Sequence, residues 1–123
     1  RDIMTYQERL TIWRLLLAVA LSFAITMALL PHPPTLVNVS DKWQHMAAFA
    51  TITMFAVLGY PHTPLLRIAE RLSFVGALIE VAQSIPALHR DCDIFDWVAD
   101  TAAILAVIIV VAIIRHVRND ATF

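Results

Sequence analysis

Long apolar blocks constrain this chain more than any other feature of its sequence. The two clearest, residues 11–30 and 96–115, are each about twenty residues long. An α-helix rises about 1.5 Å per residue, so such a block spans roughly 30 Å, the thickness of a bilayer's hydrocarbon core. Further apolar blocks occupy residues 42–60 and 72–88. The pattern predicts an all-α, polytopic membrane protein, in which residues 1–123 form one domain built as a four-transmembrane-helix bundle.

The composition supports a membrane protein and excludes several other classes. Hydrophobic residues make up 59% of the chain and charged residues 15%, against roughly 45–50% and about 25% in an ordinary soluble domain. The net charge of −1 gives no basic surface for nucleic acid. A single cysteine, Cys92, cannot form an intrachain disulfide. We expect no metal and no cofactor, because the acids and histidines lack tight ligand spacing.

Prolines and a capping pattern indicate where the predicted helices begin and end. The proline-rich segment 31–34 ends the first block, because proline cannot continue a helix. A capping-box pattern that begins at Asp41 starts the second helix. Residues 61–71 are predicted to be a loop that carries Arg67 and Arg71.

The basic residues predict the orientation of the bundle. Seven arginines lie in the two tails and the second loop, or beside them, whereas only Lys42 and Arg90 lie at the other two loops. Cytoplasmic segments carry the excess of positive charge. We therefore expect both termini to lie in the cytoplasm. The seven are Arg1, Arg9, Arg14, Arg67, Arg71, Arg115 and Arg118.

Polar residues are concentrated at the outer end of this predicted bundle. Glu80 and Gln83 lie inside the third apolar block, and acids at spacings of three and four share one face of the fourth helix. Ionisable groups at membrane depth are costly, so they are the first place to look for function. Helix capping, snorkelling and interhelical hydrogen bonds are the structural alternatives. The candidate ligand-binding or structural cluster is Asp41, Lys42, His45, Glu80, Gln83, Arg90, Asp93, Asp96 and Asp100.

The order and spacing of these residues resemble the VanZ-like family of small bacterial membrane proteins. The resemblance implies a compact four-helix fold in a bacterial inner (cytoplasmic) membrane, and the family's namesake is associated with resistance to the lipoglycopeptide teicoplanin. The chain departs from the family in having Asp100 where asparagine is common, and Ala103 and Val107 near positions where glycine is common. The matching segments are Asp41-Lys42-x-x-His45-x-x-x-Phe49, Glu80-x-x-Gln83 and Arg90-x-x-Asp93-x-x-Asp96-x-x-x-Asp100-Thr101.

Three functions are consistent with this sequence. The first is a binding site for the head group of an amphiphile, such as a lipid, a lipid-linked wall precursor or a lipoglycopeptide, with Arg90 and Lys42 pairing with an anionic group. The second is an accessory subunit that packs against other transmembrane subunits of a larger energy-converting complex. The third is a hydrolase with Glu80 or His45 as base, although no serine or cysteine nucleophile motif accompanies them.

Overall fold

The computed structural model describes residues 4–29, 41–85 and 94–118, and it describes the backbone but not the side chains of Asp41 and Lys42. Every regular element in these segments is an α-helix, which confirms the all-α class for the described part of the chain. The helices are α1 (Tyr6–Leu29), α2 (Asp41–Gly59), α3 (Leu65–Gln83) and α4 (Ile94–Val117).

Helix α1 begins several residues before the predicted position because a capping box starts it. The backbone N–H of Glu8 donates to Thr5 Oγ1 at 3.1 Å, and the backbone N–H of Thr5 donates to Glu8 Oε1 at 2.8 Å. These reciprocal bonds satisfy two of the amide groups that a helix N-terminus leaves without an intrahelical partner. The polar first turn therefore belongs to the helix.

The predicted loop at residues 61–71 is wrong in its second half, because α3 already begins at Leu65. Pro64 stands at the N-cap position with extended backbone angles, and its carbonyl accepts the first helical hydrogen bonds. Arg67 and Arg71 lie on the exposed side of this helix. Charged residues are common in loops, but Arg67 and Arg71 alternate with buried apolar residues at helical spacing and belong to α3.

The other helix ends lie close to, but not at, the predicted positions. Helix α3 ends at Gln83 rather than at residue 88, and residues 86–93 lie outside the described part of the chain. Helix α4 runs from Ile94 to Val117, so its last turn includes Arg115. Cations in a last turn interact favourably with the helix dipole.

The four helices pack around one apolar core. Helix α2 packs extensively against both α1 and α4, and α3 packs chiefly against α4. Packing of this kind buries one apolar face of each helix against its neighbours. The largest core side chains include Phe49, Ile52, Leu65, Ile68, Leu72, Ile79, Ile104 and Ile108.

Two of the four helices, α1 and α4, are long and apolar enough to cross a membrane by length and composition. Only 6% of the apolar stretch of α1 and 22% of that of α4 are buried inside the bundle. This finding supports membrane association of the chain.

Arg14 on α1 contacts the C-terminal end of α2 through a hydrogen bond and a cation–π interaction. Its Nε donates a hydrogen bond of 2.7 Å to the carbonyl of Gly59, the last residue of α2. Its guanidinium also lies 4.4 Å from the centre of the Tyr60 ring. The last carbonyls of a helix have no intrahelical donor, so Arg14 caps α2 from a neighbouring helix.

Replacing Arg14 with methionine is expected to lower the free energy of unfolding by about 2 kcal/mol, since it removes a charged hydrogen bond and a cation–π contact while keeping an apolar stem. Reversible unfolding in mixed detergent micelles, followed by circular dichroism, measures the change. Arg9→Met is the matched control, because Arg9 is exposed and its side chain donates, within the described residues, only to the nearby Met4 carbonyl. Equal effects of the two substitutions would contradict the capping role.

Candidate polar site between α2, α3 and α4

Asp100 is the most deeply buried acid among the described residues of the predicted cluster. It lies on α4 and is only 2% exposed. The imidazole of His45 on α2 lies near it, with Nδ1 3.9 Å from Asp100 Oδ1. That separation allows an ion pair but is too long for a hydrogen bond. The two helices thus present an acid and an imidazole to the same small space.

Gly76 allows α3 to approach this space. A Cβ built on Gly76 would lie 3.8 Å from Asp100 Oδ2, 3.7 Å from Phe49 Cζ and 3.4 Å from Trp97 Cδ1. These atoms belong to α4 and α2, so the three helix faces expected from the spacing of the polar residues do meet. Small residues at such points permit close approach of membrane helices.

Glu80 and Gln83 extend the polar surface along α3 toward its C-terminal end. Both are buried, at 6% and 1% exposure. The negative charges of Glu80 and Asp96 act on the Asp100 carboxyl, and Asp96 is half-buried one turn nearer the start of α4. Glu80 and Asp96 are therefore both close enough to Asp100 for like charges to oppose each other.

Gln83 also connects α3 with α1. Its Nε2 donates a 2.8 Å hydrogen bond to the carbonyl of Ala28, in the last turn of α1. The amide oxygen of the same side chain then faces away from that carbonyl. Gln83 caps α1 from the side, much as Arg14 caps α2 at the other end of the molecule.

Hydrogen bonds among Ser73, Trp97 and Thr101, here called the polar latch, join α3 and α4 beside Asp100, and the sequence analysis did not predict them. Trp97 Nε1 donates to the Ser73 carbonyl at 3.0 Å, and the Ser73 and Thr101 hydroxyls are 2.9 Å apart. Trp97 and Thr101 flank Asp100 on α4, so the latch fixes the height of Asp100 relative to α3. The signal available in the sequence was the spacing of four between Trp97 and Thr101, which places them on one helix face.

Two buried acceptors at this site have no hydrogen-bond donor among the residues that the structure describes. They are Asp100 Oδ1 and Gln83 Oε1. Buried polar atoms in folded proteins are nearly always hydrogen-bonded, and an unmatched acceptor costs about 1–3 kcal/mol. The site can therefore accept hydrogen bonds from a further group.

The remaining predicted residues divide into two groups. Helix α2 begins at Asp41, as expected, but the side chains of Asp41 and Lys42 are outside the described residues. Arg90 and Asp93 also lie outside them. In the described segments, no group of three or more histidine, cysteine or acidic side chains is arranged to hold a metal ion.

Gln83→Glu is expected to lower the free energy of unfolding by about 3 kcal/mol at mildly alkaline pH, because a carboxylate oxygen would replace the donor that faces the Ala28 carbonyl. Gln83→Leu should cost only about 1 kcal/mol, since it removes both the hydrogen bond and the unmatched Oε1. Equilibrium unfolding in detergent measures both. If the glutamate variant were as stable as the leucine variant, the contact with α1 would not be a stabilising one.

Comparison with known proteins adds no assignment: no protein-family model, no curated protein and no solved structure matches the chain. The function is therefore argued from the fold and from the polar site. Both its acceptor-rich chemistry and its location at one end of the helices bear on that argument.

Proposed function

We propose that this chain is a VanZ-like integral membrane protein of four crossings, whose polar site binds the head group of an amphiphile at the outer face of a bacterial inner membrane. One observation carries the proposal: the helices bury acceptors that lack donors among the described residues, and they expose large apolar side chains. Such a distribution is costly in water, whereas hydrocarbon covers the exposed groups and a head group supplies the donors.

The exposed surface of the two shorter helices supports the two additional crossings. On α3, Phe74 is 63% exposed and Val81 is 66% exposed, while Gln83 is buried. On α2, Met54 is exposed while the neighbouring Thr53 is fully buried. Apolar side chains are thus exposed while polar ones are buried, and this arrangement suits a lipid environment. The arginines in the first turns of α3 can extend to the head groups on the inner side.

The distribution of charge supports an outward position for the polar site. Helices α2 and α4 begin at the end where α3 finishes, and the polar site lies in this half of the bundle. Arg14, Arg67, Arg71 and Arg115 lie toward the opposite end. The end rich in arginine is expected on the cytoplasmic side. Both termini would then be cytoplasmic, and the site would face the outer leaflet.

The four-crossing topology is tested by labelling single cysteines in intact cells with a membrane-impermeant maleimide. In a chain that carries Cys92→Ser, the cysteine of His62→Cys, between α2 and α3, should react with the maleimide only after the membrane is permeabilised. The native Cys92, which lies between α3 and α4 in the sequence, should be labelled without permeabilisation. Labelling of both positions from one side would contradict four crossings.

Binding is tested with a matched pair of substitutions on α3. Glu80→Gln changes a buried carboxyl at the site, whereas Glu70→Gln makes the same change at an exposed position ten residues away. We expect Glu80→Gln to weaken the binding of short-chain phospholipids or of a lipoglycopeptide about tenfold, and Glu70→Gln to leave it unchanged. Unaltered binding in a well-folded Glu80→Gln protein would remove the proposal.

A second candidate function is an accessory subunit of a larger membrane complex. The observation that favours it is the broad apolar surface of α4, where Ile109, Ile113 and Val117 are each more than half exposed. Helices of other subunits pack on such surfaces as readily as lipid does. Purification in a mild detergent, followed by native mass spectrometry, separates the two: a stoichiometric partner chain supports the subunit, and a lone monomer argues against it.

A further inference from the structure

We propose that the exposed face of α3 binds an anionic phospholipid of the inner leaflet, with the phosphate held by two arginines and one acyl chain lying along the apolar side chains that follow them. The inference goes beyond the outer head-group site proposed above, and it depends on that proposal only in requiring α3 to cross the bilayer. The face, here called the α3 stripe, consists of Arg67, Arg71, Phe74, Leu78 and Val81.

The α3 stripe is continuous because its members are separated by four, three, four and three residues. At 3.6 residues per turn, this spacing keeps all five side chains on one face of the helix. Phe74, Leu78 and Val81 are each more than half exposed, and both arginines are exposed as well. Leu72 and Gly76, which pack into the bundle, lie on the opposite face.

The two arginines of the stripe have charge available for a ligand. Neither Arg67 nor Arg71 makes an ion pair or a side-chain hydrogen bond with another residue that the structure describes. They lie one helical turn apart, about 6 Å along the axis, so both guanidinium groups can bind the oxygens of one phosphate. Glu70 lies beside the stripe, and a single acid leaves the two arginines with a net positive charge. Arg14, in contrast, already donates to the Gly59 carbonyl.

The order of charge and apolar surface along the stripe matches that of a phospholipid. Both arginines stand at the end of α3 that the excess of positive charge places on the cytoplasmic side. The apolar part, from Phe74 to Val81, then extends about 10 Å toward the bilayer centre, within one leaflet of a core about 30 Å thick.

An anionic phospholipid fits this surface better than the other occupants. Phospholipid surrounds α3 wherever the helix crosses the membrane, whereas a helix with an acid at the right height must be supplied by another chain. A zwitterionic head group brings its own cation close to the arginines, while an anionic one adds only attraction. Charge complementarity therefore selects an anionic lipid of the inner leaflet.

The test compares phosphatidylglycerol, which is anionic, with phosphatidylcholine of the same acyl chains. Both are titrated into the detergent-solubilised full chain, and bound lipid is counted by native mass spectrometry. The natural protein should prefer phosphatidylglycerol by about tenfold or more, and Arg67→Gln or Arg71→Gln should each weaken its binding about fivefold. Arg9→Gln removes the same charge from an exposed arginine of α1 and should leave the preference unchanged.

The apolar part of the stripe is tested with a second matched pair. Phe74→Ala should weaken the binding of both lipids about threefold, because their acyl chains are identical. Leu66→Ala is the control, since Leu66 is 70% exposed on α3 but lies off the stripe. Its substitution should leave both affinities unchanged.

The outcomes separate this inference from the function proposed above. Equal effects of Arg9→Gln and Arg71→Gln would show that the charge acts diffusely, and equal effects of Leu66→Ala and Phe74→Ala would place the acyl chain elsewhere; either overturns the inference, as does a copurifying protein chain that excludes the lipid. Glu80→Gln should keep the phosphatidylglycerol preference, and its loss would move the anionic lipid to the polar site. Each failure leaves outer head-group binding standing, whereas cysteine labelling that contradicts four crossings would remove both proposals.

Discussion

Gly76→Leu is expected to lower the free energy of unfolding by about 3 kcal/mol, the largest effect of any substitution at the meeting point of α2, α3 and α4. A Cβ at this position would already touch Trp97, Phe49 and Asp100. The further carbons of leucine have no room there, so α3 would have to move away from both neighbouring helices. Reversible unfolding in mixed micelles measures the loss, and the Trp97 fluorescence should shift as its bond to Ser73 breaks.

Gly76→Ala provides the control for that prediction. Its Cβ contacts lie between 3.4 and 3.8 Å, which is ordinary van der Waals contact. Alanine also restricts the unfolded chain more than glycine does, so this variant should be about 0.5–1 kcal/mol more stable than the natural protein. A leucine variant as stable as the alanine variant would mean that the close approach of the helices at Gly76 is absent.

The existence and order of the four helices could be predicted from the sequence, because apolar blocks and prolines are strong local signals. It was weaker at the boundaries, where the decisive groups are polar. Thr5 and Glu8 form a capping box that extends α1 by a turn, although that motif can be read from their spacing. The start of α3 at Leu65 was obscured by Arg67 and Arg71, which solvate the exposed side of the helix.

The candidate site was predictable only where it depends on helical periodicity. Spacings of three and four placed Glu80 with Gln83, and Asp96 with Asp100, on shared faces, and these faces do meet across the helices. The bond from Gln83 to the Ala28 carbonyl could not be predicted, because a backbone acceptor leaves no mark in the sequence. The latch of Ser73 with Trp97 is of the same kind, since its acceptor is also a carbonyl.

Those contacts also show how the two ends of the bundle differ. At the arginine-rich end, Arg14 satisfies the Gly59 carbonyl and stacks on Tyr60. At the other end, Gln83 satisfies the Ala28 carbonyl, but its own oxygen and Asp100 Oδ1 have no donor among the described residues. If the polar cluster only held the bundle together, buried acceptors at both ends of the bundle would have hydrogen-bond donors. The mismatch at one end is what favours a ligand there.

This asymmetry leads to a prediction with a definite sign: Asp100→Asn should raise the free energy of unfolding in lipid-free micelles by about 1–2 kcal/mol. Asparagine removes a buried carboxyl that faces two other acids, and its amide supplies N–H donors in the same place. Neutralising a poorly matched buried charge is often stabilising. The same substitution should weaken head-group binding, because the charge that attracts the ligand is lost.

The sign separates the two proposed functions. If the cluster only holds the bundle together, Asp100 is a stabilising partner of His45, and Asp100→Asn should lower the free energy of unfolding. If the cluster is a binding site, stability rises while affinity falls, since binding sites retain unfavourable groups that their ligands satisfy. Glu70→Gln serves as the control, because an exposed acid on α3 should change stability by no more than about 0.5 kcal/mol. Unfolding measured with and without a short-chain phospholipid completes the test: added lipid should stabilise the natural protein more than the asparagine variant.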